Sequence, residues 1–331
     1  MNPTSSILMV GVNWLGDACM TMPALQVFRQ RHPQVRITLL TKPPLEALWR
    51  LHPAVDDVIP LVPGHAGVWR TAADIRRRDF DRAYIFPNSW RSSLIPFLAG
   101  IPHRIGTCGH GRQLLLTEQV SLSERARQGH QQWEYVDILQ LDGTTELPAP
   151  SMKCSTLSHP LPCPESDTRM IGLIPGAARG VSKQWPEAHY IAAARMLREK
   201  SKCRFVIFGT AAERPVCQRI DEALQPDSQS LAGQTSLPQL AAALGTCDTV
   251  ICNDSGGMHL AAAAGTPVVA IYGLTDARKT GPLGAGHQCI QAADVCVSRD
   301  IARNDTAATH ALASITPERV AAAALGSLQI P

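Results

Sequence analysis

The run Asn13-Trp14-Leu15-Gly16-Asp17 sets a carboxylate beside a glycine turn, between a strand-length apolar stretch (7–11) and a helix-like run (18–31). Open α/β sheets gather their ligands at the carboxyl ends of strands, so Asp17 is well placed for chemistry. The competing reading is that Asp17 only caps the helix, because aspartate favours helix starts.

Two later loops complement phosphate. A strand over 170–174 runs into Pro175-Gly176-Ala177-Ala178-Arg179-Gly180-Val181-Ser182-Lys183-Gln184-Trp185-Pro186. Small residues there let backbone N–H groups approach an anion, the following helix start adds positive potential, and Lys183 and Arg179 can neutralise phosphate oxygens. Standing alone, the loop also fits an ordinary strand-to-helix connection with surface cations. A strand over 249–252 ends in Asn253-Asp254-Ser255-Gly256-Gly257-Met258-His259, where Ser255, Gly256 and Gly257 offer donors at another helix start. Asp254 repels phosphate, so its natural partners are sugar hydroxyls, backbone N–H groups or a cation such as Lys183. His259 has no second ligand at metal spacing and reads as a helix-face residue bonding to backbone or phosphate.

Weaker signals flank these. Glu213, after Phe208-Gly209-Thr210, suits ribose or base hydroxyls, though helix capping explains it equally well. Asn88, Ser89 and Arg91, with nearby Arg104, suit a polyol or an anionic acceptor. Turn chemistry is the rival account of Pro87-Asn88. No GxGxxG or GxxxxGK[ST] occurs, which argues against dinucleotide oxidoreductases and P-loop enzymes.

The elements that must position these residues alternate between strands and helices. In the first half, strands fall at 7–11, 36–40, 57–61, 82–86 and 104–106, with helices at 18–31, 44–51, 72–78 and 90–98. Pro- and Ser-rich sequence over 142–167 then interrupts the pattern. The second half restarts with strands at 170–174, 204–209, 249–252 and 267–272 and helices at 186–200, 213–224, 237–244 and 257–264. Segment 288–310 is polar and gives no clear pattern. A last helix has Thr316 as cap and Pro317 and Glu318 in its first turn. Strand–helix alternation implies parallel sheets built from βαβ units, here twice over.

At 331 residues the chain exceeds the usual length of a single core, so two domains are expected. The net charge is +3, and residues 1–150 carry 15 Lys+Arg against 13 Asp+Glu, which speaks against a nucleic-acid partner. The cluster Arg76-Arg77-Arg78 reads as helix-end charge, with a weak pull toward anionic headgroups. Ten cysteines are scattered without a CxxC pair, which fits reduced thiols in a cytoplasmic protein. The amino terminus lacks the basic region of a signal peptide, and no apolar run approaches membrane-spanning length.

Taken as an ordered set, these motifs resemble one family, the lipopolysaccharide heptosyltransferases of glycosyltransferase family 9. The cues are Asn-Trp-Leu-Gly-Asp, Pro87-Asn-Ser-Trp-Arg-Ser with the segment from Gly100 to Gly106, the Pro-Gly loop through Lys183-Gln-Trp-Pro, Leu231-Ala-Gly-Gln-Thr, Asn253-Asp-Ser-Gly through His259, and Gly265-Thr-Pro. Asn13-Trp14 and 87–106 look more like the heptosyltransferase II branch than branch I. The resemblance implies an α/β GT-B fold with two Rossmann-like domains facing across a cleft. Residues 1–150 would bind the acceptor, 151–168 link, 169–314 bind the donor, and a helix in 315–331 pack back towards the N-terminal domain.

The implied reaction is inverting, metal-independent transfer of L-glycero-D-manno-heptose from ADP-heptose to the first heptose of the inner core, with no cofactor and heptosyl-Kdo2-lipid A as acceptor. Asp17 takes the role of general base, and Lys183 with loop 253–259 stabilises departing ADP. Donor contacts fall on Gly16, Gly176, Ala177, Arg179, Glu213, Asp254, Ser255, Gly256, Gly257 and His259, and acceptor contacts on Asn88, Ser89, Arg91 and Arg104. Ala177-Ala178 replaces hydroxyl-bearing residues of the family, so backbone contacts must serve there. The expected location is the cytoplasm, with peripheral contact at the inner membrane. Rival readings are another GT-B transferase or epimerase using a different nucleotide sugar, and a non-catalytic two-domain sugar-binding protein.

Overall fold

The computed structural model describes residues 6–109, 111–154, 157–161, 167–293 and 301–328. The chain divides into two compact units between Lys153 and Cys154. The first runs β1 (Ser6–Val10), α1 (Leu15–Arg31), β2 (Arg36–Thr41), α2 (Pro43–Arg50), β3 (Asp57–Pro60), α3 (His65–Arg76), β4 (Arg82–Ile85) and α4 (Trp90–Leu98). It continues with β5 (His103–Thr107), β6 (Glu118–Val120), α5 (Glu124–Gln128) and α6 (Gln132–Ile138). Its six strands are all parallel, in the order β3-β2-β1-β4-β5-β6. Ile7, Leu8 and Met9 on central β1 are fully buried, as expected of a parallel strand covered on both faces.

The second unit runs β7 (Arg169–Ile174), α7 (Glu187–Lys200), β8 (Cys203–Ile207), α8 (Arg214–Leu224), β9 (Ser228–Ser230), α9 (Leu237–Leu244) and β10 (Thr249–Asn253). It ends with α10 (Gly256–Ala263), β11 (Val268–Tyr272), α11 (Ala277–Thr280), β12 (Gln288–Gln291), α12 (Thr306–Ala313) and α13 (Pro317–Leu328). Its order, β12-β11-β10-β7-β8-β9, repeats that of the first unit strand for strand. Each sheet therefore reverses winding direction once, between β1 and β4 in one unit and between β7 and β10 in the other. Those reversals open a crevice at the strand ends, where doubly wound sheets hold ligands.

Two bounds differ from the sequence reading. Residues 151–153, expected to begin the linker, lie on the first unit with Ala149 before them: Gln26 donates to the Ala149 carbonyl at 3.1 Å, and Lys153 N–H donates to Leu51 O at 2.9 Å. Residues 155–156 and 162–166 of that linker fall outside the described residues. Helix α3 starts seven residues before the expected 72, because Gly64 turns the chain at φ +82 and Val68 already faces the core. The final helix buries Val320, Ala321 and Ala324 in the core of its own unit, against α7. Among the described residues no helix is long and apolar enough to cross a membrane.

Just past α2, His52 is buried against the Trp49 ring, and its Nδ1 accepts the Ala54 N–H at 3.3 Å. Burial pulls its pKa down to about 4. The unfolded chain then takes up this proton first, so stability present near neutral pH is lost as pH falls from the usual imidazole range toward 4, by about 2 kcal/mol at pH 5. Thermal melts at pH 7 and pH 5 should show a larger acid-induced drop for the wild type than for His52→Asn. Equal drops would contradict the assignment.

Candidate active site

In the first unit, the chain leaves β1 through Gly11, whose N–H donates to Leu40 O at 2.8 Å, and enters α1 with Trp14 at the N-cap. Trp14 makes no side-chain cap bond, and Asp17 stands in the first turn rather than at the capping position. The residue is half-buried there. Burial, with the Asp17 charge added, pushes the neighbouring Cys19 thiol up to about 12, so Cys19 stays protonated and is no nucleophile.

Beside it, β4 ends in the Pro87-Asn88-Ser89 loop. Ser89 caps α4, accepting the Ser92 N–H at 3.3 Å, so capping occupies part of its hydroxyl. Arg91 donates to Gly64 O at 2.9 Å with its guanidinium exposed, and Asn88 is exposed in the same loop. Between the carboxyl ends of β1, β2 and β4 lies a pocket of about 430 Å³, lined among others by Asn13, Thr41, Lys42, Ser89 and Arg91. Lys42 escaped the sequence reading, although its place directly after β2 and before Pro43-Pro44 was a usable signal.

Arg104 lies apart from this loop. It stands near the amino end of β5, donating to Leu115 O at 2.7 Å and to Ile101 O, with its guanidinium 5.4 Å from the Phe97 ring centre. These contacts commit it to structure and keep it out of the strand-end cluster. Arg112, 0% exposed, donates to Thr107 O at 2.6 Å, Thr107 Oγ1 at 2.7 Å and the Pro87 carbonyl. A buried cation with its donors spent on carbonyls and a hydroxyl holds the Pro87 loop against β5.

In the second unit the two phosphate-type loops meet at the β7/β10 reversal. Asn253, fully buried, ties them together: its amide donates to Pro175 O at 2.8 Å and Gly176 O at 3.3 Å, and its oxygen accepts the Trp185 N–H at 2.9 Å. Trp185 in turn donates from Nε1 to Ile315 O at 2.9 Å, which fixes the stretch that carries Lys183. Lys183 pairs with Asp254, their side chains 12% and 10% exposed, and Asp254 also accepts from Thr275 Oγ1 at 2.7 Å. The ammonium has two further donors to offer.

Ser255 is the N-cap of α10 without a side-chain cap bond, and its buried hydroxyl has no partner in the structure. Such an orphan donor suits a ligand oxygen at the helix start. Gly257 lies against Ile174, where a Cβ would stand 3.0 Å from Cδ1, so glycine allows the helix start to sit close on β7. Glu213 serves as cap, its carboxylate accepting the Thr210 N–H at 2.7 Å, and also presses on Gly176, where any Cβ would collide with it. Ala177 is buried, Arg179 exposed, and His259 buried within α10. Gly16 lies in the first turn of α1, in the other unit from these donor loops.

The three arginines 76–78 end α3. Arg77 pairs with Asp74 at 3.1 Å, Arg78 with Asp57 at 2.9 Å, and Arg76 donates to Leu98 O. Among the described residues no group of three or more His, Cys, Asp or Glu stands ready to hold a metal.

Two doubly wound α/β units, one carrying a strand-end acid and the other glycine-rich cationic loops, define a GT-B glycosyltransferase. The family model of glycosyltransferase family 9 (heptosyltransferase) matches residues 68–309, and the chain belongs to this family. It is 32% identical over 342 residues to lipopolysaccharide heptosyltransferase 2 of Escherichia coli K12, covering 95% of this chain and 96% of that one. Lipooligosaccharide heptosyltransferase 2 of Haemophilus influenzae is 30% identical, covering 84% and 86%. The solved ADP-heptose lps heptosyltransferase II of E. coli superposes with a TM-score of 0.82 at 29% identity, covering 98% of both chains.

Proposed function

We propose that this chain transfers L-glycero-D-manno-heptose from ADP-heptose to the first heptose of the lipopolysaccharide inner core, inverting the anomeric carbon without a metal. The observation that carries this reading is the division of chemistry between the two sheet reversals, an acid with a polar pocket at one and a cationic cradle at the other. The names of the relatives that match along most of the chain support the choice of sugar and acceptor. The pocket at the end of β1 and β4, with Lys42 and Arg91 on it, takes the anionic acceptor. The loops after β7 and β10 take the ADP moiety.

In the proposed step the acceptor hydroxyl oxygen attacks the anomeric carbon and its proton passes to the Asp17 carboxylate. The bond from that carbon to the β-phosphate oxygen breaks, and ADP leaves with the electron pair. Lys183 and the N–H groups opening α10 meet the charge that develops on the diphosphate. Glu213, with one oxygen spent on Thr210, offers the other to a ribose hydroxyl. The matching location is the cytoplasm, at the inner face of the membrane that holds a lipid-linked acceptor.

Donor profiling tests the reading. Mixing with ADP-heptose and heptosyl-Kdo2-lipid A should release ADP and lengthen the acceptor by one heptose. Preferential turnover of a UDP-sugar would replace it with another GT-B transferase or epimerase, and free-sugar binding without ADP release would favour a non-catalytic binder.

A further inference from the structure

At the two donor loops cations and carboxylates are even in number, Arg179 and Lys183 against Asp254 and Glu213. The Lys183–Asp254 pair presents no net charge, and the Glu213 carboxylate against Gly176 adds a negative one. A diphosphate brought there needs further positive charge, and Arg179 is the one arginine within the loop.

A second arginine reaches the same loop from 125 residues further along the chain. The Arg303 carbonyl accepts the Ser182 N–H at 3.3 Å, and its Nη2 donates to Ala178 O at 3.3 Å. Gly180, at φ +98, is what permits the approach, since a Cβ there would stand 3.0 Å from the Arg303 carbonyl oxygen. Two residues on, Asp305 caps α12 by accepting the Ala308 N–H at 2.9 Å, which anchors the stretch from its other side. The backbone is thus held from both sides while the guanidinium is exposed, with one of its five N–H donors spent on Ala178. A fixed stem whose fork spends one donor among the described residues is suited to phosphate oxygens.

We propose that Arg303 is a further diphosphate-binding residue of the donor site, closing the 176–183 loop over the leaving group. This rests on the assignment of the donor loops above. Calorimetric titration with ADP, and with inorganic pyrophosphate as the minimal anion, tests it on wild type, Arg303→Ala, Arg303→Lys and Lys183→Ala. Arg303→Ala should weaken both ligands about tenfold, with Arg303→Lys recovering part of the loss and ligand-free melting unchanged. Wild-type ADP affinity in Arg303→Ala alongside a loss in Lys183→Ala would overturn the proposal and leave the donor loops standing. Unaltered affinity in both variants would overturn the donor assignment itself. A lowered melting temperature in Arg303→Ala, with no recovery of affinity in Arg303→Lys, would make Arg303 a loop prop and also overturn the proposal.

Discussion

Asp17→Asn should lower kcat for heptosyl transfer by roughly a thousandfold while leaving ADP affinity within about twofold of wild type. The amide keeps the volume but loses the negative charge and the ability to take a proton. Asp17 sits in the first turn of α1 and not at its N-cap, and the asparagine amide oxygen can still accept hydrogen bonds there. Loss of the helix-dipole interaction costs about 0.3–1 kcal/mol, too little to unfold the unit. A merely structural role would show instead as a lowered melting temperature with kcat largely kept. Retained turnover in Asp17→Asn would remove it as the base.

Lys183→Ala should weaken ADP binding and lower kcat together, with kcat/KM falling at least about a hundredfold. Two effects add. The developing charge on departing ADP loses its ammonium, and Asp254, only 10% exposed, is left facing the anion with Thr275 as its remaining hydrogen-bond donor. The double variant Lys183→Ala/Asp254→Asn separates them. It should bind ADP better than Lys183→Ala alone, since the repelling carboxylate is gone, yet remain as slow in transfer. If the double variant binds no better, repulsion by Asp254 is not part of the loss.

Much of the loop cluster at the β7/β10 reversal was legible because its residues are contiguous in two loops. Lys183 and Asp254 could be named from a strand end followed by small residues, and their pairing was foreseeable from charge alone. The strands that escaped were β6, β9 and β12, all lying at the outer edges of the sheets, with polar sequences such as Ser228-Gln229-Ser230. Such strands exist by pairing with a neighbour, and no apolar run announces them. Helix α12 was missed in the polar 288–310 segment even though Asp305 ahead of Thr306-Ala307-Ala308 is a start signal.

The same limit applies around the site. Arg104 and Arg112 lie eight positions apart and look alike in sequence. Only the structure shows that one is spent on β5 and the other props the Pro87 loop. Arg303 is joined to its loop by a tertiary contact across 125 residues, which no local pattern encodes. Asn253 stood inside a quoted motif, but its role as a tie between three segments depends on burial.

A crystal structure with ADP bound tests the central claim most directly. The diphosphate should lie within hydrogen-bond distance of Lys183 Nζ and of the N–H groups at 255–257, with the Ser255 hydroxyl turned onto a phosphate oxygen. ADP seated instead at the ends of β1 and β4, in the pocket of Lys42 and Arg91, would contradict the assignment of donor and acceptor.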